Sequence, residues 1–476
     1  MLHEHFQRSI DDSLSFLRRL LASEVETRTA IRVAGSLLLQ KTRLRYLSGN
    51  LEIGGHLLLA GCQRFRGFDS NSLSVAGDLW IGGASPVRQW LGDEVSLEHR
   101  FGKRVAQFLS RASTDTQCPF ATWPDNVDVE GDIHLINCRR LETLPNSFRC
   151  GQNLEIVNCA IQSLPDNMTV FGDLTIVGCP LVKLPENLRV EGNLQLASLP
   201  LEELPASLSV GGSLKITRCQ RLRAIGVGVS IGKSLHVARS GLTHLASELE
   251  LPDRLSLQSC PIETLTLPRC SNLSVEACDS LVELKPACRV HHFTDFRIAR
   301  CDSLESLPDG LLIRGHCQLT NLPKLKRLPV QFQCATPIEI EGTDLHGLTE
   351  LQMTNTRFRY RSVPIPAYAL FDPSRISLDD VLNQDNSEVR RMMLERMGIG
   401  RFEEHAERFV VDRDTDAGGP RSLIRFSTRA YLFCRCPSTG RNYLLGVPTH
   451  LRRCHAAAAW LAGFENPDDY KPMVET

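Results

Sequence analysis

The stretch "CPLVKLPENLRVEGNLQLASLPLEELP", from Cys179 to Pro205, nearly repeats itself and indicates how the chain folds. It contains an apolar pair, Leu194 and Leu196, that stands after a glycine and before a Leu-Pro turn. The same pair recurs along the chain, with its first residue at Leu37, Leu57, Leu79, Ile133, Leu154, Leu174, Leu194, Leu214, Leu235, Leu255, Leu273, Phe296, Cys317 and Ile338. From Ile133 onward the steps are 18 to 23 residues. A period of this length is typical of stacked repeats, so the stretch contains repeat units of a solenoid.

Each repeat has the pattern of a strand followed by a turn. The alternation at Leu174 and Ile176 has a period of two, which places both side chains on one face of a strand. The proline and glycine residues that punctuate each unit end the strand and turn the chain. One unit cannot bury its apolar face alone, so stacked copies should form a parallel sheet over a continuous core.

The unit, V-x-G-x-L-x-I-x-x-C-x-x-L-x-x-L-P-x-x-L, resembles the leucine-rich repeat, L-x-x-L-x-L-x-x-(N/C)-x-L, in a bacterial form. The resemblance covers residues 30–348. It implies an α/β-type solenoid: a right-handed superhelix of about 14 units with a parallel β-sheet on its concave face.

Two segments outside the regular spacing have helical patterns. The apolar residues from Phe6 to Leu21 share one helical face, which predicts an N-terminal helical cap over residues 1–29. The step from Leu79 to Ile133 is 54 residues, longer than two units. The extra residues, about 93–122, have helical apolar spacing and predict a helical insertion.

The chain has 17 cysteines, and eight of them share one position of the repeat. They lie five residues after the first apolar position, at Cys62, Cys138, Cys159, Cys179, Cys219, Cys260, Cys278 and Cys301. The leucine-rich-repeat resemblance implies that this position points inward and satisfies backbone groups. Because these cysteines occur singly on successive rungs, we predict structural thiols and no metal. Unpaired thiols in this number favour a reducing, cytoplasmic location, or the cytosol of a host cell for a delivered protein.

Composition and motifs exclude several classes of function. The net charge of −1 gives no overall bias toward nucleic acid or anionic membrane, and no apolar run is long enough for a membrane span. Gly226–Ser234 approaches a phosphate-binding loop, but Val227 stands where that motif needs glycine. Bacterial effectors with such repeats and a ubiquitin-ligase domain use a C-x-D cysteine, and no cysteine here has Asp two residues later. We therefore predict a monomer with a protein partner, without cofactor, nucleic acid or membrane.

The flanks of the apolar pairs are expected to form the binding surface on the concave face. One predicted column is apolar and includes Ile136, Val157, Val177 and Ala197. Later repeats add a set of basic residues: Lys215, Arg218, Arg239, Arg297 and Arg300. An exposed apolar row favours a protein partner. The alternative is that the arginines only solvate the face.

Residues 349–476 leave the repeat pattern and predict a small α+β domain. Ser377 followed by two aspartates marks a helix start, and Gly398 fits a helix end. The segment "RSLIRFSTRAYLFCRCPSTGRNYLLGV" has the pattern of two strands around a turn, and "HLRRCHAAAAWLAG" that of a helix. Motifs such as "NSEVRRMMLERMG" and "CPSTGRNYLLGVP" resemble a bacterial domain of unknown function over about residues 365–476. That resemblance implies no established activity.

Two sets of residues in this domain could carry chemistry. The possible polar site is Arg390, Arg391, Glu395, Asp412, Asp414 and Arg441, which could bind an anion or pair among themselves. Cys434, Cys436, His450, Cys454 and His455 offer zinc-ligand types, but their spacing suits core packing better. The sequence thus favours a protein-interaction scaffold over an enzyme. The alternatives are an effector that acts on a host protein and an enzyme or biosynthetic accessory with its chemistry in this domain.

Overall fold

The computed structural model describes residues 31–40, 44–82, 118–343, 345, 356–416, 419–436 and 439–471. It shows a parallel β-solenoid of about 13 turns. The chain forms two compact units: unit 1 ends at Leu304 and unit 2 begins at Glu305. The predicted cap, and the predicted insertion up to residue 117, lie outside the described residues.

The main sheet of unit 1 is parallel and in register. Its strands are Leu37–Gln40, Leu57–Ala60, Leu79–Gly82, Ile133–Ile136, Leu154–Val157, Leu174–Val177, Leu194–Ala197, Leu214–Thr217, Leu235–Ala238, Arg254–Gln258, Asn272–Glu276 and Asp295–Ala299. The first apolar residue of each repeat pairs with that of the next, as in Leu174 with Leu194. The strand positions predicted from the period are therefore confirmed.

Shorter strands elsewhere in each turn pair with their counterparts in neighbouring turns. In unit 1 they are Ile31–Val33, Tyr46–Ser48, Leu51–Ile53, Gly67–Asp69, Ser72–Val75, Asn126–Val129, Ser147–Cys150, Thr169–Val170, Arg189–Val190, Ser209–Val210, Ser230–Ile231, Ala224–Ile225, His244–Leu245, Thr264–Thr266, Glu283–Lys285 and His291–Phe293. They occupy the part of the unit where the leucine-rich-repeat resemblance allowed helices. Across the described part of unit 1 no helix occurs, and the structure as a whole is only 12% helical. The described turns therefore do not show the α/β superhelix that the resemblance implies. A 20-residue unit with Leu-Pro turns forms short extended segments in the place of helices.

The core of unit 1 is continuous because each strand contributes two inward side chains. Leu174 and Ile176 are both fully buried, while the intervening Thr175 is half-buried. After each strand the chain takes a left-handed residue, with φ between 51° and 64°, at Gly61, Asn137, Asn158, Gly178, Ser198, Arg218, Arg239, Ser259, Ala277 and Arg300. This residue turns the following side chain back into the core.

The side chain turned inward is usually cysteine, as the sequence predicted. All eight cysteines at this position are buried and free. Cys159 Sγ donates to Val157 O at 3.5 Å and to Leu135 O of the preceding turn at 3.3 Å. The thiols therefore satisfy carbonyl groups at the ends of the strands, and the structural interpretation of this ladder is confirmed.

A second polar ladder, which the sequence analysis missed, stands immediately before the strands. Asp173 Oδ1 accepts from Asn193 N at 2.7 Å, and Asn193 Oδ1 accepts from Ser213 N at 2.9 Å. The adjoining glycine is required, since a Cβ at Gly192 would lie 2.3 Å from Asp173 Oδ1. Each turn thus fixes the next at both ends of its strand.

Unit 2 begins with solenoid strands and continues into an α+β fold. Its strands are Leu311–Ile313, Cys317–Thr320, Gln333–Cys334, Ile338–Glu341, Phe358–Tyr360, Val363–Ile365, Val410–Asp416, Gly419–Phe426, Arg429–Arg435 and Asn442–Val447. Its helices are Ala367–Phe371, Leu378–Leu382, Ser387–Met397, Ile399–Ala406 and Cys454–Leu461, with 3₁₀ turns at Pro373–Arg375, Glu407–Phe409 and Pro467–Asp469. The last four strands form an antiparallel meander.

The predicted helix start at Ser377 and helix end at Gly398 are confirmed. The segment 421–447, predicted as two strands around a turn, instead contains parts of three strands, because the chain also turns at Ser427, which has a left-handed φ of 50°. Ser377 caps a helix through a capping box with Asp380, and Gly398 ends a helix with φ of 90°. The chain between these two residues forms two helices instead of one, because Asn386 caps the N-terminus of a second helix. Cys454 and the alanines after it pack on Leu423 and Leu432 of the meander. Among the described residues, no helix combines the length and the apolarity that crossing a membrane requires.

Candidate functional site

The outward side of the main sheet is accessible from the strand Leu174–Val177 to the strand Asp295–Ala299. We call this surface the open face. Its outward side chains are Thr175, Val177, Gln195, Ala197, Lys215, Thr217, His236, Ala238, Ser256, Gln258, Ser274, Glu276, Arg297 and Ala299, together with the left-handed residues Arg218, Arg239 and Arg300. Most of these side chains are small and only partly exposed. The open face is therefore a flat surface from which a few long charged side chains project.

The predicted apolar column is only partly on this surface. Val177 and Ala197 are half-buried and contribute to the open face. Ile136 and Val157 are 0% and 5% exposed, so their predicted exposure is wrong. His134, which also alternates with the core residues of its strand, is buried as well and pairs with Glu155 at 2.8 Å. Burial of this part of the sheet depends on packing that strand alternation alone does not reveal.

The basic set forms two groups, and the first lies on two neighbouring turns. Thr217 and Ala238 are paired across the sheet, and the residues that follow them are Arg218 and Arg239. Both arginines and Lys215 are exposed. Within the described residues, no acidic side chain lies within 4.0 Å of either arginine. The described part of the chain thus supplies no countercharge to these two guanidinium groups on neighbouring turns.

The second basic group is neutralised. Arg300 forms a hydrogen-bonded ion pair with Glu276, and Arg297 lies 3.7 Å from the same carboxylate. Glu276 is on the turn before them and is paired across the sheet with Ala299. Arg297 and Arg300 lie on the outer surface, as predicted. Their acidic partner, Glu276, belongs to the same sheet.

His236, which lies on the strand before Arg239 and is paired with Lys215 across the sheet, was missed by the sequence analysis. Its Nδ1 is 3.0 Å from Ser256 Oγ of the next turn. Burial lowers the pKa of His236, and the charge of Lys215 lowers it further. The imidazole is therefore neutral at pH 7 and offers a hydrogen bond without adding charge. The sequence could have indicated His236 only through its position among the outward-facing residues of the repeat.

The chain matches no protein-family model, no curated protein and no solved structure. Both resemblances of the sequence therefore rest on their motifs alone. What the open face binds has to be inferred from its own side chains.

The polar set predicted in unit 2 does not converge on one site, and Arg390 is structural. Its guanidinium is 6% exposed and donates to the carbonyl oxygens of Gln384, Asp385 and Leu444 at 2.9–3.0 Å. It also lies over the ring of Tyr431, 4.7 Å from the centroid. Each of its three nitrogens donates to a carbonyl group of the fold, and the side chain is buried, so Arg390 has a structural role.

The other members of the set are also engaged or separate. Arg391 bridges Glu388 and Glu395 at 3.0 and 2.7 Å along its helix. Asp414 forms a two-pronged pair with the buried Arg421, at 2.7 and 2.6 Å. Elsewhere, Asp412 Oδ2 accepts from Cys454 N at 2.6 Å, and Arg441 is exposed in the turn before the last strand. Within the set, Arg391 and Glu395 thus pair with each other, whereas Asp412 and Asp414 bond to residues outside it.

The cysteine and histidine residues of unit 2 are likewise dispersed. Cys454 Sγ donates to Asp412 O at 3.3 Å, and His455 Nε2 is 2.9 Å from Pro467 O. In the part of the chain that the structure describes, no three His, Cys, Asp or Glu side chains are grouped to hold a metal ion.

The thiol of Cys334 differs from that of Cys179, a ladder cysteine, in its electrostatics. Burial raises the pKa of Cys179 to about 12, so that thiol stays protonated at neutral pH. A hydrogen bond from Cys317 lowers the pKa of Cys334 to about 7, and the positive charge of Arg357 acts in the same direction. Cys334 is partly exposed, whereas Cys317 is fully buried. Cys334 is therefore the thiol of this pair that ionises near neutral pH.

We expect iodoacetamide to modify Cys334 with a pH midpoint near 7, because the thiolate is the nucleophile and is lost as the pH falls through that value. Cys179 should remain unmodified on the same timescale. The measurement is the alkylation rate of each cysteine from pH 5.5 to 8.5, by peptide mass spectrometry. Replacing Cys317 with Ala should move the midpoint upward; an unchanged midpoint would contradict the assigned cause.

Proposed function

We propose that unit 1 binds a protein partner through the open face, and that Arg218 and Arg239 hold acidic side chains of that partner. The proposal is supported most directly by the charge of these two neighbouring arginines, which have no acidic partner among the described residues, and their backbone conformation adds to it. Both have left-handed conformations, with φ of 57° and 51°. A side chain with a Cβ costs about 1–2 kcal/mol in this conformation, whereas glycine and asparagine tolerate it.

Other turns use the tolerant residues at the same place. Asn137, Asn158 and Gly178 precede their inward cysteines with φ of 56°, 52° and 64°. Ser198, Ser259, Ala277 and Arg300 take the same conformation in further turns, so several turns share this strain. Arg218 and Arg239 differ in placing two long charged side chains on adjacent turns.

Electrostatics gives the main argument. Strands in a sheet lie about 4.8 Å apart, so Arg218 and Arg239 repel each other across neighbouring turns. The fold neutralises Arg300 with Glu276 but supplies no carboxylate within 4.0 Å of the other two arginines, as far as the described residues show. The two arginines destabilise the free protein through their left-handed backbone and through the repulsion of their charges. An anionic group of a bound partner best explains why they are present.

The surroundings of the pair favour a protein over a small ligand. Next to the two arginines is a low, half-buried surface. It is formed by the last residues of three successive strands, Val177, Ala197 and Thr217. A flat surface of small side chains can contact an extended area of a partner, and each arginine at its edge can donate two parallel hydrogen bonds to one carboxylate. Together they suit a protein surface with an acidic segment.

We further propose that the solenoid is of the leucine-rich-repeat type, as its motif suggests. The inward cysteines support this assignment, because they occupy the Asn/Cys position of that repeat and donate to strand-end carbonyls. A repeat of this kind would present its main sheet as the binding surface, in agreement with the role proposed for the open face.

The test is the double variant Arg218→Asn, Arg239→Asn. We expect it to unfold at a higher temperature than the wild type, by an amount equivalent to about 1 kcal/mol, since asparagine tolerates the left-handed conformation. At the same time it should lose at least tenfold in affinity for the partner, because the two charges are gone. The measurements are thermal unfolding and quantitative affinity capture from nuclease-treated lysate of the source organism.

A matched control removes the same charge elsewhere on unit 1. Arg189 and Arg269 are exposed at 62% and 78% and pair with Glu191 and Glu250 on short strands or turns away from the open face. The variant Arg189→Asn, Arg269→Asn should capture the same proteins as the wild type. Equal losses in the two double variants, or no loss in either, would refute the proposed site. A lower unfolding temperature for the first variant would refute the strain argument.

A further inference from the structure

Unit 2 contains a cavity of about 680 Å³ that none of the preceding roles uses. It is bounded by the strands Phe358–Tyr360 and Val363–Ile365 and by the helix Ala367–Phe371. Three arginines line it, Arg357, Arg359 and Arg375, and none of the described residues that line it is acidic. Cavities of this size hold small molecules.

Two of the arginines that line the cavity share one side of a strand. Phe358 is 2% exposed and packs against Phe371, with the ring centroids 4.8 Å apart. Because side chains alternate along a strand, Arg357 and Arg359 point together to the other side. Arg375 approaches from the 3₁₀ turn and lies over the ring of Tyr368, 5.4 Å from its centroid. The arginines thus come from two separate segments of the chain.

Carboxylates near the cavity are engaged elsewhere. Glu339 is paired with Arg359 across the sheet, but its Oε1 accepts from Ser362 N at 2.8 Å. Asp380 accepts from Tyr368 Oη and from Ser377 N, both at 2.8 Å. No acidic side chain of the described residues comes within 4.0 Å of the three guanidinium groups. Among the described residues, Arg357 donates one hydrogen bond, to Ala335 O at 3.1 Å, and most of its donors have no partner there.

We propose that this cavity binds a small phosphorylated molecule, with the phosphate oxygens held by Arg357, Arg359 and Arg375. Guanidinium groups bind phosphate through paired hydrogen bonds, and three of them around one cavity supply the charge for a dianion or trianion. Pro364, Ile365 and Tyr368 give the cavity an apolar wall, so the remainder of the ligand can be buried beside the phosphate. The site is independent of the open face, which belongs to unit 1.

The test uses the full chain and inorganic pyrophosphate as the probe, in isothermal titration calorimetry at low ionic strength. We expect one binding site per chain in the wild type. The variant Arg359→Gln, Arg375→Gln should weaken binding at least tenfold, and Arg357→Gln alone should weaken it measurably. Arg452→Gln is the matched control, because Arg452 is an exposed arginine of unit 2 that does not line the cavity.

Three results would overturn the proposal. The first is the absence of pyrophosphate binding by the wild type at millimolar concentration. The second is an equal loss of affinity in the control, which would show that the anion responds only to net charge. The third is sedimentation of the protein with phosphatidylcholine vesicles that contain phosphatidylserine, without binding of pyrophosphate, which would assign the arginines to a membrane surface. Thermal unfolding of each variant distinguishes a lost site from a lost fold, and the single variant decides the question if the double variant does not fold.

Discussion

Replacing Leu174 or Ile176 with alanine is expected to lower the free energy of unfolding of unit 1 by about 2–5 kcal/mol. Both side chains are fully buried, and each packs against the turns before and after its own. Deletion of a buried leucine or isoleucine loses transfer free energy and leaves a cavity that the stacked turns cannot close. In a solenoid each turn contacts only its neighbours, so the damage should be local at first.

The measurement is urea unfolding together with amide hydrogen exchange of the full chain. Exchange should accelerate most in the strands Leu154–Val157, Leu174–Val177 and Leu194–Ala197. Thr175→Ala is the matched control, because Thr175 lies between the two core residues but is only half-buried on the open face. Losses of the same size at Leu174 and Thr175 would show that the two faces of the strand have been assigned the wrong way round.

The strand positions could be predicted from the sequence because their signal is local. The alternation of Leu174 and Ile176 is visible within three residues, and its recurrence fixes the stacking. The ladder of Asp173 and Asn193 could not be predicted in the same way. Its hydrogen bonds run from a side chain to the backbone of the next turn, and they exist only because stacking brings the two within 2.7 Å.

The candidate site was predicted only in part, for a related physical reason. Arg218 and Arg239 were identified as outward residues, but no propensity of arginine predicts a left-handed backbone. Their neighbours in the repeat impose it. The burial of Ile136 and Val157 was missed because exposure depends on packing from distant parts of the chain, which strand alternation does not record.

The two arginines of one helix illustrate the same limit. Arg390 and Arg391 are adjacent in the sequence and were assigned to one polar site. The helix turns by about 100° per residue, so neighbours point in different directions. Arg390 enters the core of unit 2, whereas Arg391 pairs with glutamates along the helix. Tertiary packing, which the sequence does not state, decides which of them is structural.

Replacing Arg390 with methionine is therefore expected to destabilise the α+β part of unit 2 by about 3–5 kcal/mol. Methionine keeps the apolar stem but leaves the carbonyl groups of Gln384, Asp385 and Leu444 without their donor. Each buried carbonyl that loses its partner costs about 1–3 kcal/mol, and the contact with the ring of Tyr431 is lost as well. Lysine at this position should recover only part of the loss, because its ammonium group cannot reach all three acceptors at once.

The loss should be measured by amide hydrogen exchange in the helix Ser387–Met397 and in the strand Asn442–Val447, since Arg390 joins these two elements. Arg441→Met makes the same chemical change at an exposed arginine of the same domain and should alter exchange by less than about 0.5 kcal/mol. If Arg390→Met folded as stably as Arg441→Met, the buried guanidinium would not be holding the domain together. It would then have to be reconsidered as a member of a functional site, because a buried charge with no structural benefit needs another reason to be there.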